Sequence, residues 1–253
     1  MPKVLGIPMF DRDIPAATAH VLAACRDGSP PRALCVSATG AHGLVYAREH
    51  ADFAALLRGF HLNLPDGTPG VWVGRLKGAN DMRRCYGPDF FESVMRKTAD
   101  DAGIRHFLAG GQPEVAEQLR GICRDRFGNA NVVGTYTPPF RPLDDGELLQ
   151  LARQIEDAKA DFVWIGLSTP QQEMLAVRLA RVTSVRFLVT VGAAFDFHTG
   201  RVPATPRWLQ PLALEWAYRL SREPGRLWRR YAEIVPKFIV YNLIELARGK
   251  FFG

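Results

Sequence analysis

The sequence predicts an α/β protein, a Rossmann-like parallel sheet flanked by helices, with a basic helical appendage at its C-terminal end. Three observations predict it. Short apolar runs rich in β-branched and aromatic residues alternate with helix-period runs at β-α-β spacing. Gly, Thr, Ser and Asp gather just after those apolar runs, at the carboxyl ends of the strands, where parallel sheets bind ligands. Charge is segregated: residues 201–253 hold ten Lys and Arg against four Asp and Glu, the whole of the chain's net +6, so residues 1–200 balance.

The elements follow in order. Arg32 to Ser37 reads as a strand, Ala51 to Phe60 as a helix, and Leu62 to Leu64 as a short strand. Thr68-Pro69 opens another helix, with Thr68 as N-cap and proline at the first helical position. Ile104 to Ala109 is a strand ending in Gly110-Gly111, and a helix runs from Pro113 to about Phe127. Val132 to Tyr136 is a strand followed by a proline-rich loop, and Leu148 to Ala158 is helical. Phe162 to Gly166 (strand), Gln171 to Ala180 (helix) and Val185 to Val191 (strand) complete the sheet. Past Gly200 the pattern changes to two short amphipathic basic helices, one from Trp208 to Ser221 and one opening at Pro224.

At 253 residues the chain suits one large domain with an appendage, here 1–200 and 201–253. No apolar run reaches 18 residues, so no helix is expected to span a bilayer. The first residues lack the apolar core of a secretory leader, and Cys25, Cys35, Cys85 and Cys123 are scattered, which suits reduced thiols in a cytoplasmic protein. A basic tail bearing Trp208, Trp216 and Trp228 suits something acidic: a lipid surface, a phosphorylated substrate or a nucleic acid.

Asp66 follows a strand and precedes a helix, the place for a general base with a raised pKa; it is equally a turn or capping residue. Thr39 and Gly40 offer a hydroxyl and an open backbone to a sugar or phosphate, or simply cap a helix, and His42 is an acid–base candidate or a structural junction residue. Gly110-Gly111 lets backbone N–H groups approach phosphate at a helix start. Ser168 and Thr169 before Pro170 make N-cap chemistry, and Gln172 and Glu173 in the first turn suit a base or ribose edge. Asp196 and His198 resemble a metal pair without a third ligand, and no G-x-G-x-x-G or P-loop motif occurs, so no metal and no cofactor is expected. A leaving phosphate would then be neutralised by arginines or helix ends.

Six motifs in order resemble the WecG/TagA/CpsF glycosyltransferases: Pro65-Asp66-Gly67, Tyr86-Gly87-Pro88-Asp89, Gly110-Gly111-x-Pro113, Gly166-Leu167-x-x-Pro170-x-Gln172-Glu173, Gly192-Ala193-Ala194-Phe195-Asp196, and Glu215-Trp216-x-x-Arg219-Leu220-x-x-Glu223-Pro224-x-Arg226. The resemblance spans about Thr39 to Tyr231. It implies an inverting, metal-independent transfer from a UDP-sugar to a polyprenyl-diphosphate-linked saccharide, peripheral on the inner face of a bacterial membrane, in exopolysaccharide or related surface-polymer synthesis. It also implies Asp66 as base, Thr39 near the reacting centre, Arg84 on the donor, and Gln172 in a nucleotide pocket with Gly40, His42, Gly67, Gly110, Gly111, Ser168, Glu173 and Asp196. Arg219, Arg226 and Arg229 would meet the acceptor diphosphate at an anionic membrane surface. Two departures stand out: Ala41 takes the place of an Asn, and Gln171 that of a Lys.

Two rival readings are a nucleic-acid-binding module, from the pI of about 9.3 and the Arg/Trp-rich tail, and a Rossmann-type sugar-nucleotide-modifying enzyme. The first leaves the strand-end motifs unused, and the second lacks its glycine fingerprint. A homo-oligomer stays open, because the tail suits a neighbouring subunit as well as its own body.

Overall fold

The computed structural model describes residues 1–27, 32–203, 209, 214–222 and 224–251. The side chains of residues 215, 226 and 248–251 are outside that description.

The chain begins with a hairpin, β1 (Lys3–Val4) and β2 (Ile7–Pro8), whose turn residues Leu5 and Gly6 both have positive φ. Then follow α1 (Ile14–Arg26), β3 (Leu34–Thr39), α2 (Ala41–Glu49), α3 (Ala51–Arg58), β4 (Leu62–Pro65), α4 (Thr68–Leu76), α5 (Gly87–Lys97), β5 (His106–Gly110), α6 (Val115–Phe127) and β6 (Val132–Tyr136). The rest is α7 (Asp145–Asp157), β7 (Phe162–Gly166), α8 (Gln171–Leu179), β8 (Phe187–Thr190), α9 (Ala194–His198), α10 (Glu215–Arg222) and α11 (Pro224–Phe251).

Six strands pair in parallel in the order β4-β3-β8-β7-β5-β6, with helices packed around them. Central strands β5 and β7 are buried along their whole length, which is why they read as unbroken apolar runs. Phe162 stacks on Phe187 with centroids 4.8 Å apart, and Phe91 meets Trp164 edge-on at 4.8 Å. The four cysteines are free and buried.

Three local expectations are corrected. The N-cap of α4 is Gly67, not Thr68, and no side chain caps it, so Thr68 and Pro69 already lie inside the helix. The N-cap of α8 is Pro170, with no side-chain cap; the Thr169 hydroxyl instead donates to Glu173 Oε1 at 3.0 Å. The second tail helix is not short: α11 runs for 28 residues through Pro236. Proline in a helix interior removes one hydrogen bond, and burial of Ile234 and Phe238 on either side compensates for it. Of the first tail helix, 215–222 is helical, whereas Trp208 and residues 210–213 lie outside the described residues.

The tail lies on its own body. Ile234 and Phe238 join an apolar cluster with Leu44, Val71 and Met82. Lys237 and the Tyr241 hydroxyl each reach Glu49 at 2.8 Å, and Glu245 pairs with Lys77 at 2.7 Å while accepting the Leu5 N–H at 2.9 Å. α11 therefore roofs the sheet's carboxyl end on the β4 side.

Candidate active site

A crevice of about 1060 Å³ opens over the carboxyl ends of the strands, walled on one side by α4, α10 and α11 and on the other by the Pro138–Leu143 loop and α8. Parallel strands deliver their C-terminal residues to one rim, so Gly40, Asp66, Gly111, Gly166 and Val191 all face it.

Asp66 sits directly after β4. Its backbone N–H donates to the Thr39 carbonyl at 3.3 Å, and the Cys85 N–H donates to the Pro65 carbonyl at 2.8 Å, so neighbouring segments pin the turn on both sides. Asp66 Oδ1 accepts the Gly87 N–H at 2.8 Å, at the first residue of α5. Oδ2 lies beside the backbone of Gly40, where an added Cβ would stand 3.5 Å from it. Burial raises the Asp66 pKa; the Arg84 guanidinium, the Gly87 hydrogen bond and the Arg219 guanidinium oppose it in part. A carboxylate with one oxygen anchored and a raised proton affinity, set in a crevice, is a competent general base.

Gly87 was quoted from the sequence only as part of a motif, and its task was missed. A Cβ there would lie 2.9 Å from the Val191 carbonyl oxygen and 3.2 Å from Ala38 Cβ, so only glycine brings the α5 N–H down onto the carboxylate. The glycine-proline pair at a helix start was the available signal; the partner carboxylate, distant in sequence, was not visible.

Arg84 lines the crevice, donates from Nε to the Asp66 carbonyl at 2.8 Å, and lies over the Tyr86 ring at 4.0 Å. Arg219 also lines it, stacked 5.5 Å from the Phe197 ring centroid, with its Nε buried and unpartnered among the described residues. Gly67, Ser168 and Asp196 line it too. His42 does so with a pKa lowered first by burial and then by Arg230, which keeps the imidazole neutral near pH 7. The starts of α2, α4 and α5 all come to this rim, adding partial positive charge for an anionic ligand.

Other sequence-chosen residues lie one layer below. Thr39 is 4% exposed; its hydroxyl donates to Ser37 Oγ at 2.9 Å, and Ser37 donates to Glu173 Oε1 at 3.3 Å. Glu173 is 1% exposed and also accepts from Gln172 Nε2 at 2.8 Å, and burial raises its pKa. Gln172 reaches the crevice edge, but its Oε1 is held by the Gly192 N–H at 2.9 Å. These side chains bolt α8 to β3 and to the turn after β8. Gly110 is buried, and the Gly111 N–H donates to the Gly166 carbonyl at 3.0 Å rather than facing a ligand. A Cβ on Gly110 would stand 2.5 Å from that carbonyl oxygen, so close strand packing is what requires glycine there.

His198 is turned away from Asp196 into the core, its Nε2 3.0 Å from the Pro88 carbonyl and its ring against Phe91 and Phe127. Among the described residues, no three His, Cys, Asp or Glu side chains converge. Arg229 is exposed on α11, 5.5 Å from the Trp228 ring centroid, and the side chain of Arg226 lies outside the described residues.

The model of the Glycosyl transferase WecG/TagA/CpsF family matches residues 2–251. The chain belongs to this glycosyltransferase family. The match takes in α11 as well as the sheet. A glycosyltransferase brings a sugar-nucleotide donor and an acceptor together, and the crevice offers the Asp66 and Asp196 carboxylates together with the Arg84 and Arg219 guanidinium groups. No helix among the described residues is long and apolar enough to cross a membrane.

Proposed function

We propose that this glycosyltransferase moves a hexosyl or N-acetylhexosaminyl group from a UDP-sugar to a polyprenyl-diphosphate-linked saccharide, in one inverting displacement without a metal. Residues 1–200 carry the chemistry, and residues 201–253 dock the acceptor at the inner face of a bacterial membrane during surface-polysaccharide assembly.

The observation that carries the reading is the Asp66 carboxylate, with Oδ1 fixed on the Gly87 N–H at 2.8 Å and burial raising its pKa. Asp66 takes the proton from an acceptor hydroxyl. The oxygen bonds to the anomeric carbon as that carbon's bond to the UDP oxygen breaks. UDP leaves from the opposite face, so an α-linked donor yields a β-glycoside. Arg84, Arg219 and the helix starts are the groups on hand to meet diphosphate charge. Holding both substrates in one crevice supplies proximity.

The test is a UDP-release screen across UDP-glucose, UDP-N-acetylmannosamine and related donors, with short lipid-diphosphate glycans as acceptors. Turnover with one pair and inversion at the anomeric carbon are expected. Retention of configuration, or no UDP release with any of the donors, overturns the reading. For peripheral attachment, the double variant Arg222→Glu/Arg229→Glu should bind anionic vesicles on the order of tenfold or more weakly, since each basic residue near such a surface is worth about 1 kcal/mol. Undiminished cosedimentation removes the docking role of these residues.

A further inference from the structure

Large exposed apolar side chains are concentrated on two helices. Trp72 and Leu76 of α4 are 46% and 72% exposed, and Ile239 and Leu243 of α11 are 53% and 61% exposed. All four line the crevice that holds Asp66. Val240 and Ile244 continue the patch outside it, at 50% and 41% exposure. A contiguous apolar surface of this kind marks an interaction site.

The two helices line the same crevice, start toward start and end toward end. At one end, α4 starts just after Asp66, and Arg230 of α11 is close enough to His42 to act on its charge. At the other end, Lys77 just past α4 meets Glu245 of α11 at 2.7 Å. The trough between them therefore has a polar head and an apolar run. The head holds Asp66, Arg219 and Arg230, with Arg219 Nε buried and unpartnered among the described residues. From there the α11 wall continues to Leu246 over about 24 Å of helix. Asn242 interrupts this wall at its floor, buried and bonded through Nδ2 to the Phe238 carbonyl at 2.7 Å.

We infer that the trough between α4 and α11 holds the isoprenoid hydrocarbon of the lipid-linked acceptor, so that the body helix α4, and not the basic tail alone, selects a long lipid. The inference rests on the glycosyl-transfer reading above and names where that acceptor lies. The order of groups along the trough (carboxylate, guanidinium, then apolar wall) matches an acceptor whose sugar hydroxyl leads, whose diphosphate follows and whose hydrocarbon trails. A protein segment or a second copy seated there would close the route to Asp66. Hydrocarbon fills the trough and leaves the head end to the reacting groups.

The test measures binding of inorganic diphosphate, geranyl diphosphate and farnesyl diphosphate to the full-length protein by calorimetry, below the concentrations at which the lipids form micelles. Each added isoprene, half buried, should tighten binding on the order of tenfold. Leu76→Glu and Leu243→Glu change exposed positions and should leave the melting temperature and diphosphate affinity unchanged while flattening the dependence on chain length. Chain-length dependence that survives in both variants, or its absence in the unaltered protein, overturns the inference. So does a concentration-dependent dimer that either substitution splits without touching lipid affinity, because a second copy then covers the patch. The series contains no donor and no reaction, so failure of the transfer reading appears separately in the UDP-release screen.

Discussion

Replacing Asp66 with asparagine isolates the proton-transfer role from every structural role of that side chain. The variant keeps size and shape, and its amide oxygen still accepts the Gly87 N–H that Oδ1 accepts at 2.8 Å. What it loses is the base. General-base catalysis contributes on the order of 10²–10⁴-fold, or about 2.7–5.4 kcal/mol of barrier, and kcat for UDP-sugar-dependent transfer should fall by that factor with donor KM little changed. The acid limb of the pH profile should vanish with it: burial raises the Asp66 pKa, so activity of the unaltered enzyme declines as pH falls through that raised value. Stability should move the other way. A carboxyl whose folded pKa lies above its unfolded value favours the native state when protonated and penalises it once ionised, so the penalty grows as pH rises above the unfolded value of about 3.9. Asp66→Asn should therefore melt no lower than the parent at neutral pH, and the two should converge in acid. Turnover within about fivefold of the parent, with the acid limb intact, would falsify the assignment of Asp66 as base.

Gly87→Ala should lower kcat at least about tenfold and destabilise by about 1–3 kcal/mol, because the new methyl lies 2.9 Å from the Val191 carbonyl oxygen and lifts the α5 N–H off Asp66; unchanged activity by the same assay contradicts the clamp. Glu173→Ala should cost about 2–4 kcal/mol in urea unfolding, since Ser37, Thr169 and Gln172 lose their shared acceptor, and Glu173→Gln should cost less than half of that. Equal costs for the two would mean that cavity formation, not the network, dominates. Arg219→Ala should raise the acceptor KM on the order of tenfold with little change in donor KM; the opposite split assigns this arginine to the donor.

Strand ends were legible because a parallel sheet forces its chemistry to one rim. Asp66 could be picked out since it follows the apolar Leu62-Asn63-Leu64 run and precedes a helix, and the rim is where the structure places it. Internal hydrogen bonding was not visible in the sequence at Gln172 and Glu173. Their residue types suit a ligand edge, and only the fold brings Ser37, Thr169 and the Gly192 N–H together to bind them internally. The glycines at 110 and 111 read as a phosphate turn; both have positive φ, and an added Cβ would meet the Gly166 backbone at 110 and the Val115 side chain at 111. Helices α1, α5 and α9 were not foreseen, although Asp13 accepts the Ala16 N–H at 3.0 Å as an ordinary N-cap of α1. The length of α11 was hidden by Pro236, a residue that breaks isolated helices and is tolerated here by packing. Strand order rests on contacts distant in sequence, which no local pattern encodes.

The tail's charge and its packing ask for different experiments. Its charge set it apart in the sequence as an appendage, and cutting after about residue 200 is the obvious way to test it. Yet Leu227, Ile234 and Phe238 are buried, each worth about 1.5–3 kcal/mol, and Glu49 and Lys77 lose ion-pair partners when α11 is removed. Truncation therefore uncovers Leu44, Val71 and Met82 and removes Arg219 and Arg230 from the crevice in the same step. Loss of transfer in such a fragment follows equally from a damaged fold, a missing diphosphate partner or a lost membrane contact. Substitutions at exposed positions separate these causes: Arg222 and Arg229 report on the surface, Leu76 and Leu243 on the trough, and Arg219 on the crevice. A coupled body and tail also explain how one carboxylate on the sheet and cations on a late helix come to line the same crevice: the Glu49–Lys237 and Lys77–Glu245 pairs fix the register of α11 along α2 and α4, and that register sets where Arg230 stands relative to Asp66.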